Sequence, residues 1–216
     1  VETDALEFAR LFAKTYGYPS PIFYGRFGTA MIEIDNNKLE FATARKESYE
    51  ENSRKPHVKP ATVIEDLARR DFTINAIALN LLKSQILDPF DGKKDIRKKI
   101  IRTPVDPDKT FYDDPLRILR GIRFATTLNF GIEEDTKKAM ANNAKRLLIV
   151  SQERIADEIM KIISARKPSK GFFLMDDIGV LELIIPEVAA LKEKRTNHPC
   201  KELFEHTLQV LDNTAS

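Results

Sequence analysis

Cysteine, long apolar runs and net charge are all scarce in this 216-residue chain. The single cysteine, Cys200, excludes an internal disulfide and a cysteine-based zinc cluster. No apolar run approaches the ~18 residues that a membrane span needs. The opening VETDALEFAR also lacks the basic-then-apolar order of a signal peptide, so a cytoplasmic address is expected. A formal net charge of +2 is too small to mark a nucleic-acid binder by itself. Internal repeats and low-complexity tracts are absent as well.

What is present is an ordinary globular composition, 42% apolar and 31% charged, enough to bury a core in one large or two small domains. The charge is uneven. Segment 91–102, DGKKDIRKKIIR, carries six Lys or Arg against two Asp, and segment 114–123 adds three arginines. A solvated face is the ordinary reading of such a run, and it suffices for 91–102 taken alone.

Asp4 to Tyr16 has the spacing of an amphipathic helix, with Leu6, Phe8, Ala9, Leu11 and Phe12 as its apolar stripe and Gly17 as its stop. Thr29 to Ile34 and Lys38 to Thr43 flank Asp35-Asn36-Asn37 and predict a β-hairpin, in which Glu40 points away from the face of Leu39 and Phe41. Residues 46–61, with Pro56 and Pro60, read as a loop. Ile64 to Leu82 has a helical pattern, and beyond DPFDG helices are expected near 115–128, 133–145, 151–165, 169–178 and 200–213. The shift from strands to helices near residue 92 is the candidate domain boundary.

The stretch DDPLRILRGIRF, Asp113 to Phe124, is the most informative. Pro115 suits a first helical position and Asp114 an N-cap. Capping does not account for the arginines: at ~100° per residue, Arg117, Arg120 and Arg123 share a face opposite Ile118, Leu119, Ile122 and Ala125. Like charges stacked at i, i+3 and i+6 repel, so they fit best where a polyanion such as phosphate shares the face. Asp114 offers only acceptors and Arg117 only donors. Cytosine and adenine each show an amino donor beside a ring-nitrogen acceptor, whereas uracil and guanine show a carbonyl beside an N–H. An adjacent Asp and Arg would therefore accept C and A and reject U and G. In EDLARRDFTINAIALN, Glu65 to Asn80, the cations Arg69 and Arg70 stand beside Asp66, Asp71, Thr73 and Asn75. That set suits phosphate and a sugar or metal-bound water.

RRDFTINA, ILDPFDGKKDIRKKIIR, DDPLRILRGIRFA and SQERIADEIMKI, in this order and spacing, resemble the class II tRNA nucleotidyltransferase and bacterial poly(A) polymerase family from about Val1 to Ala165. The resemblance implies an α+β fold: a nucleotidyltransferase head with a small β-sheet flanked by helices at 1–92, then an all-α neck and body at 93–190. FEHTLQVLDNTA resembles the first turn of an HD domain, placed at 191–216, with His206 as its first histidine. A lone helix histidine is more often an ordinary surface or core residue.

The implied site follows residue by residue. Asp113-Asp114-Pro115-Leu116-Arg117 matches the base-selecting Glu-Asp-x-x-Arg, with Asp in place of the first Glu. Arg120, Arg123 and Arg70 match nucleotide-contacting arginines, and Arg69, Asp71 and Asn75 complete the candidate nucleotide-binding set. Glu40 in KLEFATAR falls on the third catalytic-site carboxylate. Arg154 and Glu158 match an RxxxE-like pair expected to brace a helix. Lys93, Lys94, Lys98 and Lys99 are candidate RNA contacts. The family's Gly-Gly-x-Val-Arg-Asp segment and metal-holding Asp-x-Asp pair do not precede VETDALEFARLFAK here. The Mg²⁺ ligands are therefore expected upstream of Val1, and this polypeptide is expected to be inactive alone.

The activity implied is attack of a tRNA 3′-hydroxyl on the α-phosphate of CTP or ATP with release of pyrophosphate, with no membrane partner. A poly(A) polymerase, a split CC-adding or A-adding enzyme and a catalytically inactive RNA-binding module stay open. An HD phosphohydrolase would rest on His206 alone.

Overall fold

A computed structural model describes residues 1, 3–25, 28–48, 57–193 and 203–214. Cys200 and the middle of the 46–61 segment lie outside the described residues. The chain divides into two compact units, Val1–Arg69 and Arg70–Ser216.

The first unit packs helix α1 (Ala5–Tyr16) on a three-stranded antiparallel sheet of β1 (Ile22–Tyr24), β2 (Thr29–Ile34) and β3 (Asn37–Ala42), in the order β1-β2-β3. Asp4 accepts the Leu6 N–H at the head of α1, and Gly17, at φ 71°, ends it in the left-handed conformation that glycine adopts without steric cost. The buried stripe differs from the one expected. Ala5, Ala9 and Ala13 face Ala30, Ile32 and Phe41, while Phe8 and Leu11 are exposed. Small residues at i, i+4 and i+8 let the helix approach the sheet closely, and the larger Phe8 and Phe12 rings lie beside Phe41 at 5.6 and 5.3 Å.

The hairpin forms within a residue of the expected strands, with Ala30 opposite Phe41 and Met31 opposite Glu40. The alternation places Glu40, exposed, on the face away from α1. The expected loop after it is replaced by a ribbon: β4 (Arg45–Ser48) pairs antiparallel with β5 (His57–Pro60). Pro60 at the strand end removes no internal ladder donor, so proline there was compatible with a strand. Helix α2 (Val63–Ala68) starts on a reciprocal capping box of Thr62 and Glu65.

The second unit opens with a 3₁₀ turn at Thr73–Asn75, and then β6 (Ala78–Asn80) and β7 (Gln85–Leu87) form a two-stranded ribbon. This corrects the expected helix over 64–82, which ends at Ala68. Asp71 takes the Phe72 N–H and Asn80 takes those of Leu82 and Lys83, and such side-chain acceptors turn the backbone out of a helix. Helix α3 (Gly92–Lys98) follows; a Cβ on Gly92 would stand 2.2 Å from the Thr73 carbonyl oxygen, so only glycine admits this approach.

Beyond it, β8 (Ile100–Ile101) pairs in parallel with β9 (Gly131–Ile132) around α4 (Pro107–Asp113) and α5 (Leu116–Thr127). The helices α6 (Glu134–Asn143), α7 (Gln152–Ile163), α8 (Ser169–Asp177), α9 (Val180–Ile184), α10 (Pro186–Ala189) and α11 (Leu203–Thr214) complete the described unit, with a 3₁₀ turn at Ala144–Ile149. The core lies around α5: Ile118, Leu119, Ile122 and Ala125 are fully buried among Phe72, Phe111, Met140, Leu147, Ile162 and Met175. The apolar half of the helical wheel read from the sequence is therefore the half that packs. Among the described residues no helix is long and apolar enough to cross a membrane.

Candidate functional site

The α4–α5 junction carries the Asp-Asp-Pro-Leu-Arg motif. Asp114 sits between the helices with extended backbone; its carbonyl accepts from the Arg117 N–H at 3.1 Å and its carboxylate from the Leu116 N–H at 3.3 Å. Its carboxylate thus takes the first N–H of α5, and Pro115, just before Leu116, stands where no N–H is needed. Arg117 follows one turn later, half-buried, on the face opposite Ile118, Leu119 and Ile122. Asp113, the last residue of α4, is half-buried, and burial pushes its carboxyl above the usual value, partly offset by Lys109, Arg117 and Arg146.

The three arginines of the α5 face separate by partner. Arg120 places Nε and Nη2 at 2.8 and 2.6 Å from one oxygen of Asp71. The other Asp71 oxygen accepts from the Phe72 N–H at 2.8 Å and the Asn75 side-chain amide at 3.0 Å. Asp71 is buried, and these four bonds satisfy its carboxylate, joining the RRDFTIN turn to α5. Arg123 donates from Nε to Glu158 of α7 at 2.6 Å, and its guanidinium carbon lies 4.0 Å from the centre of the Phe124 ring. Phe124 in turn meets Phe72 edge-on at 5.9 Å.

Glu158 is buried, and burial alone would push its carboxyl up. Hydrogen bonds and charge from Arg123 and Lys161 outweigh burial and hold it below its usual range. The expected Arg154–Glu158 brace is corrected here: Glu158 takes Arg123 and Lys161, while Arg154 is exposed. Residues at i and i+4 are neighbours on a helix, but the buried Glu158 carboxylate is taken by Arg123 of α5 and by Lys161.

The other expected residues lie as follows. Arg69, in the first unit, donates to Asp66 at 2.6 Å and to the Arg45 carbonyl at 3.0 Å, holding α2 against β4. Arg70 is exposed at the start of the second unit. Lys93, Lys94, Lys98 and Lys99 are exposed on or just after α3, with Lys94 3.5 Å from Asp91. Among the described residues no group of three His, Cys, Asp or Glu side chains is placed to hold a metal ion, His206 on α11 included. The Asp106-Pro107-Asp108 triplet has the spacing of a metal pair but other work: Asp106 caps α4 through the Lys109 N–H at 2.7 Å, and Asp108 accepts from Asn143 at 3.0 Å.

Two residues escaped the sequence reading, Tyr112 and Arg146, which meet at this junction from α4 and the 144–149 turn. Their pairing is non-local, and neither belongs to a motif. Outside the junction, a cavity of about 790 Å³ opens between α8 and α11, lined by Lys167, Lys170, Phe173, Glu205 and Asp212 among others.

The first unit is thus a small antiparallel sheet on one helix, and the second a helical unit whose arginine helix presents an Asp and an Arg at its start. Residues 1–102 match the family described as poly A polymerase head domain, and residues 129–192 match the probable RNA and SrmB-binding site of polymerase A. The chain is 41% identical over 195 residues to the A-adding tRNA nucleotidyltransferase of Aquifex aeolicus (strain VF5), covering 86% of this chain and 23% of that protein. It is 38% identical over 187 residues to the CCA-adding enzyme of Lactobacillus helveticus (strain DPC 4571), covering 86% and 46%. Among solved structures it is similar to a tRNA nucleotidyltransferase complexed with a primer tRNA and an incoming ATP analog, with TM-score 0.72, 34% identity and coverage of 89% and 57%. The chain belongs to the class II tRNA nucleotidyltransferase and poly(A) polymerase family. It spans less than half the length of these two relatives.

Proposed function

We propose that this chain is the nucleotide-selecting part of a cytoplasmic enzyme that adds C and A from CTP and ATP to the 3′ end of tRNA, releasing pyrophosphate. The observation that carries this reading is the α4–α5 junction, where Asp114, fixed by its cap, and Arg117, one turn on, stand together beside Arg120. Asp114 accepts the amino group of cytosine or adenine, and Arg117 donates to the adjacent ring nitrogen. Arg120, held by Asp71, and Arg70 supply positive charge for the triphosphate, while Asn75 steadies Asp71. Arg123 serves the nucleotide face through its pair with Glu158, which fixes α5 on α7. Lys93, Lys94, Lys98 and Lys99 form an exposed basic face suited to the tRNA backbone.

Phosphoryl transfer in this family draws on divalent metal, Mg²⁺ in our reading, which neutralises and aligns the triphosphate. The residues described here do not fit a metal site: Glu40 is an exposed carboxylate outside any group of three potential ligands. We take Glu40 as one carboxylate of the catalytic site.

The test uses the full-length protein carrying this chain, a tRNA trimmed of its last three nucleotides, and labelled CTP or ATP. Ordered incorporation of two C and one A is expected, with Glu40→Gln slowing it about 100-fold. ATP-only ladders on any RNA would replace this reading with poly(A) synthesis. A single A added only to tRNA already ending in CC would make it A-adding, the activity named for the 41%-identical relative.

A further inference from the structure

Several cations of the second unit are answered by carboxylates: Arg120 by Asp71, Arg123 and Lys161 by Glu158, and Lys192 by Asp176. At the C-terminal end of α4 the pattern differs. Arg146 is seated on Tyr112: its Nε donates to the Tyr112 carbonyl at 3.2 Å, and its guanidinium carbon lies 3.7 Å from the centre of the exposed Tyr112 ring. A guanidinium stacked on an aromatic face and tied to a helix C-terminal carbonyl is held in one orientation. Among the described residues no carboxylate comes within ion-pair distance of Arg146, and its outer N–H groups have no acceptor. Lys109, almost one turn before Tyr112, and Lys145 are exposed and likewise form no ion pair among the described residues. Asp108, one turn before Tyr112, accepts instead from the side-chain amides of Asn142 and Asn143 at 3.5 and 3.0 Å. Asp113 makes no hydrogen bond or ion pair with Lys109 or Arg146, and one carboxylate against these cations leaves the patch positive.

We propose that Arg146, seated on Tyr112, binds a backbone phosphate of the acceptor RNA close to its 3′ end, with Lys109 and Lys145 flanking the contact. The inference rests on the reading of this chain as part of a tRNA nucleotidyltransferase that reads the base with Asp114. Tyr112 stands two residues before Asp114. The reaction joins the RNA 3′-hydroxyl to the α-phosphate of the nucleotide whose base Asp114 reads, so the last phosphates of the strand come to this end of α4. The triphosphate has Arg120 and Arg70 in the same reading. Cations spread over α4 and the 144–149 turn suit the repeated charges of a strand better than one compact group. The outer N–H groups of Arg146 point a fixed fork at a phosphate, which is the geometry that makes arginine selective for that group.

In the full-length protein, Arg146→Ala is expected to raise KM for trimmed tRNA about tenfold, with KM for CTP and ATP and kcat each within about twofold of wild type. The dependence of log affinity for tRNA on log salt should become shallower by about 0.7–0.9, the loss of one phosphate contact. Arg146→Lys keeps the charge without the planar stack and gives an intermediate KM. Lys109→Ala with Lys145→Ala leaves the Tyr112 stack intact, shifts the salt slope in the same direction, and carries the test if thermal melting shows that Arg146→Ala fails to fold. An unchanged KM for tRNA in folded Arg146→Ala overturns the proposal. So does a raised KM with the wild-type salt slope, which marks a purely structural role, and so does a rise confined to CTP and ATP, which gives Arg146 to the triphosphate. Failure of the underlying reading shows in the wild type instead: a protein that neither binds nor extends trimmed tRNA removes that reading, whereas a wild type that does both leaves Arg146 to be judged by its variants.

Discussion

Replacing Arg123 with Met is expected to destabilise the helical unit by about 3 kcal/mol at neutral pH, the lower part of the range for stranding one member of a buried ion pair. Arg123 is 16% exposed and the Glu158 side chain 5%, so the carboxylate left behind cannot turn to water without moving α7. Lys161 stays within 3.1 Å of Glu158 and softens the loss, although its own side chain is 56% exposed.

The pH dependence follows from the sign of the shift. In the wild type, Glu158 is held below its usual range, so its stabilising contribution is fully present above the unfolded carboxylate value and is lost as pH falls through the lower folded value. Without Arg123, burial dominates, the folded value rises above the unfolded one, and the variant loses stability as pH rises through that window. The gap in Tm between the two proteins should therefore be widest near neutrality and narrow as the solution is acidified. Glu158→Leu combined with Arg123→Met should recover much of the loss, because the cost lies in the uncompensated charge. Calorimetry across a pH series checks both statements, and a gap independent of pH would show that packing on Phe124, not charge, is what Arg123 contributes.

Legibility in the sequence followed the range of the interactions. The α5 wheel, its cap at Asp114 and the β2–β3 hairpin depend on neighbours within a few residues, and their expected positions agree with the structure to within a residue or so. The 45–60 and 78–87 ribbons were misread because short strands with mixed polarity carry no period distinct from a loop or a helix, and what decides them is the partner strand. The face of α1 was misread for a related reason. Counting large apolar residues favours Phe8 and Leu11, but close packing on a sheet rewards the alanines.

At the site, residue types were legible and partners were not. Three arginines on one face suggested one shared anion, yet Arg120 spends two N–H groups on Asp71, 49 residues away in sequence, and Arg123 one on Glu158, 35 residues away. Nothing local to the arginines announces those carboxylates. Arg146 lies equally far from the motif it approaches, and only the packing of the 144–149 turn beside α4 brings it to Tyr112.

The proposed base-selecting pair, Asp114 and Arg117, yields the largest expected effect on function. Asp114→Asn with Arg117→Gln is expected to reduce the preference for CTP and ATP over UTP and GTP by about 10- to 100-fold, since a well-formed pair of such contacts is worth ~1–3 kcal/mol of discrimination. The choice of Asn matters, because Asp114 also caps α5 through the Leu116 N–H. Asn keeps an acceptor for that bond and is as good a cap, so stability should change by less than about 0.5 kcal/mol. At the same time Asn presents an amide donor to the carbonyl of uracil or guanine, and Gln offers an acceptor to the neighbouring N–H, so the rejected bases gain what C and A lose. Measuring kcat/KM for all four nucleotides on the full-length protein distinguishes two roles. A change in the ratio between bases places Asp114 and Arg117 against the base edge. An equal fall for all four would mean that the junction only orders α5, and that base choice is made by other residues.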